Sequence, residues 1–104
     1  AHRRAAATTV RGHALWDLGR RPEAQATYVE AQDLLSAPLR VLDLCELVGE
    51  VTRRGIVLAE GLEELAPLLR EALPDSARGA AWLRLASDLS EVGIDPRRWG
   101  EGSR

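Results

Sequence analysis

No stretch of this 104-residue chain alternates apolar and polar residues long enough to build a half-buried strand, and β-branched residues are sparse. Apolar residues recur instead at steps of three and four, between glycines and prolines placed where helices stop and start. That pattern predicts an all-α fold, a right-handed array of about five antiparallel helices joined by short turns.

The first helix is predicted from about His2 to Leu18, with Ala7, Val10, Ala14, Leu15 and Leu18 on one side and Gly19 as its stop. Pro22 fits the first turn of a second helix, and Glu23 complements its N-terminus. Ala24, Tyr28, Ala31 and Leu35 then form a single helical face. A third helix, from about Pro38 to Arg54, has apolar residues around more than one face and is expected to pack on two sides. Gly55 ends it. A fourth, about Ile56 to Leu73, carries Pro67, which predicts a kink or break. Pro74-Asp75-Ser76 reads as a turn with an N-cap. The last helix, about Ala77 to Val92, stops at Gly93-Ile94-Asp95-Pro96. Core positions are expected at Leu15, Leu18, Tyr28, Leu42, Val48, Leu65, Leu69, Trp82, Leu85 and Leu89. One domain over residues 1–99 is expected, with a flexible tail at 100–104.

Composition narrows the function classes. Fourteen arginines against sixteen acidic residues give a net charge of −2, so nothing in the overall charge predicts nucleic-acid binding. Uncharged runs are too short to span a bilayer, and no signal peptide is visible, which predicts a cytoplasmic protein without a membrane partner. The single cysteine, Cys45, excludes an internal disulfide, and with only His2 and His13 beside it no protein-built metal site or cofactor is expected. Met, Lys, Asn and Phe are missing. The absence of Met predicts a processed chain or a segment of a longer protein, and the bias as a whole matches a GC-rich coding sequence.

The segment from about Ala5 to Pro38 resembles a tetratricopeptide repeat, a pair of antiparallel helices about 34 residues long with small residues where the helices cross. Gly12 stands at the family's small position in the first helix and Gly19 in the turn. Ala24, Tyr28 and Ala31 stand at the small, aromatic and small positions of the second helix. Thr8, Arg11 and Ser36 depart from the family's Trp, Leu and Pro. A second repeat is half visible: Arg20-Arg21 and Arg53-Arg54 stand 33 residues apart, which aligns Cys45 with Gly12, Val48 with Leu15 and Val51 with Leu18. The helix that follows fits poorly, and the last helix would then close the array.

The resemblance implies that Thr9, His13, Trp16 and Asp17 point into a concave groove that holds peptides. Trp16 has two readings, an interface anchor or a packing residue, and His13 likewise is either a polar contact or an ordinary helical residue. Arg20, Arg21, Arg53 and Arg54 either recognise an acidic partner along one edge or simply stand near helix ends, where two of the doublets meet the dipole. Cys45, mid-helix among leucines and valines, reads as buried and inert rather than nucleophilic, and Glu60, Glu63 and Glu64 read as a solvated face. No convergent set of catalytic groups is evident, so the chain is expected not to be an enzyme. The expected function is a protein-interaction or scaffold module holding a peptide or helix. The alternative is a helical oligomerisation or regulatory accessory domain of a transcriptional regulator or enzyme.

Overall fold

The computed structural model describes residues 2–98. Its elements are α1 (His2–Asp17), α2 (Arg21–Ser36), α3 (Val41–Arg53), α4 (Ala59–Leu69), α5 (Ala77–Glu91) and a single 3-10 turn, Pro96–Arg98. No strand occurs among the described residues, only an isolated bridge between Ser36 and Leu39. The chain divides into two compact units, Ala1–Arg40 and Val41–Arg104. Trp99 and the tail expected at 100–104 lie outside the described residues.

The first unit is the α1/α2 hairpin. Arg11 meets Glu30, Gly12 meets Tyr28 and Trp16 meets Arg21, so later positions on α1 face earlier ones on α2 and the helices run antiparallel. The α2 face reads as expected: Ala24, Tyr28, Ala31 and Leu35 are all buried. The α1 face does not. Ala5, Thr8 and Gly12 turn inward, while Val10 is 65% and Leu18 71% exposed. The Tyr28 ring is the reason. A Cβ on Gly12 would stand 2.6 Å from its Cε1, so α1 approaches α2 only along its small residues. Ala7, Val10, Ala14 and Leu18 are thereby left exposed.

The second unit is built on α3, which packs against both α4 and α5. Leu44, Leu47, Val48, Val51 and Thr52 are buried, as is Cys45, so the expectation of a helix covered on two sides holds. Leu42, expected in the core, is 45% exposed, because the two packed faces run through 44/48/52 and 45/49 and leave position 42 at the rim. Leu65, Leu69, Leu85 and Leu89 are buried, while Trp82 and Leu15 are half-buried. Cys45 contacts Ala81, Gly49 lies beside Leu85 and Arg53 pairs with Asp88. These contacts advance together along both helices, so α3 and α5 run parallel. Helix α4 starts at Ala59 rather than Ile56. It continues through Pro67, with Ala66 buried and helical, and stops two residues later. Pro67 sits in the last turn, where its missing N–H removes one helical hydrogen bond but only two helical residues follow.

Three helices end alike. Gly19, Gly55 and Gly93 adopt φ of 79°, 84° and 83°, a conformation that favours glycine. At each end the next N–H donates to the carbonyl five residues back: Arg20 to Leu15, Ile56 to Val51, Ile94 to Leu89. Superposing the first two ends aligns Thr8, Gly12 and the half-buried Trp16 of α1 with the buried Leu44, Val48 and Thr52 of α3 at an offset of 36; the third end stands a further 38 residues on, where Trp82 and Ala86 are half-buried and Ser90 is exposed, so α5 does not repeat the stripe in that register. The offset of 33 drawn from the arginine doublets is therefore not the structural one. Arg20-Arg21 follow the first helix-ending glycine, whereas Arg53-Arg54 precede the second.

Candidate functional site

Of the eight residues singled out by sequence, six belong to the first unit and two to the second, so two separate surfaces are involved. On α1, the Thr9 hydroxyl donates to the Ala5 carbonyl at 2.9 Å, which occupies it within its own helix. His13 Nδ1 and the Tyr28 hydroxyl are in hydrogen-bond contact at 2.7 Å, with the rings edge to face. The only polar atom of a fully buried tyrosine side chain is thus partnered by His13, which gives this histidine a structural task. Trp16 is half-buried, with the Arg21 guanidinium 4.3 Å from its ring centroid. Asp17 is exposed. Arg20 forms a two-pronged ion pair with Glu23. That pairing holds the Glu23 carboxyl below its ordinary range and raises the Arg20 guanidinium.

In the second unit Arg53 Nη1 donates to Asp88 Oδ2 at 2.9 Å, and Arg54 Nη1 to the Glu50 carbonyl at 3.1 Å. Arg53 stands at one end of a feature the sequence did not reveal, a groove of about 600 Å³ along the α3/α5 seam. Its floor is made by Cys45, Gly49 and Ala81, and Ala77 and Ala80 keep the α5 wall low. Short side chains at a parallel helix crossing leave a trough where leucines would have filled the seam. Leu42 stands at its lip, 45% exposed.

The groove is charged. Asp43, Glu46 and Glu50 stand three and four positions apart on α3 and line one wall. Asp88 lies over Gly49, where a Cβ would stand 2.9 Å from its Oδ2, and is held by Arg53. Arg84 is the other lining cation. The lining thus holds four carboxylates and two guanidiniums. Burial, seconded by Asp88 and Glu46 and opposed by Arg84, pushes the Cys45 thiol up to about 11. Its Sγ donates to the Ala81 carbonyl at 3.6 Å. The thiol is therefore protonated, buried and part of the floor.

Sequence reasoning missed Asp43, Glu46, Glu50, Arg84 and Asp88. The spacing of the first three was a signal for one helix face, and the small run Gly79-Ala80-Ala81 was a signal for close packing. Neither showed that α3 and α5 lie side by side. Glu60 and Glu63, by contrast, are exposed on α4 as expected. Among the described residues no three His, Cys, Asp or Glu side chains gather in a way that would hold a metal ion, and no helix is long and apolar enough to cross a membrane. Comparison with known protein families, with curated proteins and with solved structures returns no match.

Proposed function

We propose that this chain is a non-enzymatic protein-interaction module, built of tetratricopeptide-like helical hairpins, that holds a peptide in the α3/α5 groove. The observation that carries the reading is the groove itself: an open trough of about 600 Å³ between parallel helices, with an exposed leucine at its lip. The like helix endings of α1, α3 and α5 and the matching inward stripes of α1 and α3 support the hairpin reading, as does the close fit of Gly12 against Tyr28. At the offset of 36, Thr9, His13 and Asp17 correspond to Cys45, Gly49 and Arg53, all of which line the groove. The surface that the resemblance assigned to α1 is thus the one that α3 uses.

Selection of random peptides displayed on phage tests the reading, with each enriched peptide assayed against Ala80→Trp, which fills the trough. Enriched peptides are expected to lose at least tenfold in affinity on that variant while its circular dichroism is unchanged. Peptides indifferent to Ala80→Trp would contradict it. Should that variant misfold, Glu46→Arg at the exposed wall serves the same purpose.

A second reading, association through α1, is favoured by the exposed stripe of Ala7, Val10, Ala14 and Leu18. Sedimentation equilibrium tests it: a dimer that Leu18→Glu dissociates supports association, and a monomer at all concentrations removes it.

A further inference from the structure

Resting on the reading of association through α1, we infer that a second copy of this chain docks there as an antiparallel, twofold-related helix pair centred on Val10, with Arg3 of each copy beside Asp17 of the other. The stripe fixes the face. At 3.6 residues per turn, Ala7, Val10, Ala14 and Leu18 fall within about 80° of arc, and all four are exposed. Arg3 stands inside that arc one turn before Ala7, and Asp17 stands on its Val10 border. The apolar stripe is thus closed by a cation at one end and an anion at the other.

Charge selects the occupant and its direction. Arg3, Arg4 and Asp17 are exposed, and none of them has an ion pair among the described residues. They also stand the wrong way round for their own helix. Arginines at its start and a carboxylate at its end oppose the dipole, and α1 has no acidic residue in its first turn and no basic residue in its last. About 21 Å of helix separates Arg3 from Asp17, so the two cannot meet within one chain. A parallel copy would set Arg3 against Arg3 and Asp17 against Asp17. An antiparallel copy sets each arginine beside both the carboxylate and the C-terminal dipole of the other.

The shape of the stripe fits the same pairing. A twofold axis at Val10 makes each border of the stripe meet the same border of the second copy, so Arg3 and Asp17 share a side. It also puts Ala7 opposite Ala14, small residues that let two helix axes approach to about 8 Å. Near the axis on the other border stands Arg11, which is held by Glu30 at 2.8 Å and so brings no bare cation against its twin. One helix on one helix is a small interface, so the dimer is weak and concentration-dependent.

Sedimentation equilibrium up to about 1 mM compares the parent chain with Arg3→Glu/Arg4→Glu, with Asp17→Arg, and with these two variants mixed. The parent is expected to dimerise. Each variant alone carries like charges at both ends of the pair and should dimerise at least tenfold more weakly. In the equimolar mixture each end again joins opposite charges, and association should return to within about threefold of the parent. A mixture that fails to recover overturns the inference. If the variants dimerise as well as the parent while Leu18→Glu dissociates it, the antiparallel register falls and association through α1 stands. A parent that is monomeric throughout overturns both. Should a variant lose its helical circular dichroism, disulfide cross-linking in a Cys45→Ala background decides. Val10→Cys is expected to form a covalent dimer, and Leu18→Cys, about 24 Å from its twin across the axis, is not. Cross-linking of Leu18→Cys, or none of Val10→Cys, overturns the inference.

Discussion

Gly12 and Tyr28 show how one residue pair sets a helix crossing. Gly12 is a poor helix former, and replacing it by alanine would ordinarily gain about 1 kcal/mol in a helix interior. Here the new methyl meets the Tyr28 ring at 2.6 Å, and overpacking of that kind costs about 1–3 kcal/mol. Gly12→Ala is therefore expected to destabilise the protein in urea unfolding, against the propensity trend. An increase in stability would show that the helices separate freely.

Cys45 makes a second prediction at this scale. Its thiol pKa is raised in the folded chain, from an ordinary value near 9 to about 11. The folded state thus binds more protons than the unfolded state between those values. Stability from this group is complete below pH 9 and is lost as pH rises towards 11, about 2 kcal/mol in all. Denaturation midpoints should fall across that window in the parent and less so in Cys45→Ala. Alkylation of the native protein at pH 8 should be slow.

At the level of elements, helix limits followed glycine, proline and serine closely, because end signals act locally. Ser76 is one case. Its hydroxyl accepts from the Gly79 N–H at 3.0 Å and donates to the Leu73 carbonyl at 2.6 Å, closing the turn into α5. Ser76→Ala should cost about 1 kcal/mol and first loosen α5, read as faster amide exchange at 77–80. Faces were less legible than ends. The α2 face was plain because Ala24, Tyr28, Ala31 and Leu35 recur at steps of four, three and four and are all buried. The α1 face was misread because its buried side consists of Ala5, Thr8 and Gly12, whose small size is what the crossing needs and what a hydrophobicity pattern undervalues. Leu18 and Leu42 were placed in the core by type alone. The groove was not legible at all. Its walls lie some 35 residues apart in sequence, and only the parallel packing of α3 on α5 brings them together.

For the whole molecule, the net charge of −2 gives no hint of a partner. Four arginines form ion pairs with nearby carboxylates: Arg11 with Glu30, Arg20 with Glu23, Arg53 with Asp88 and Arg97 with Asp95. The exposed ones among these pairs contribute little stability.

The most direct test is to titrate the isotopically labelled chain with a peptide enriched by phage selection and follow amide shifts by nuclear magnetic resonance. The account predicts shifts concentrated at Asp43, Glu46, Gly49, Glu50 and Arg53 on α3 and at Ala77, Ala80, Ala81 and Arg84 on α5. Shifts confined to Val10, Ala14, Trp16 and Leu18 on α1, with the α3/α5 seam silent, would contradict it.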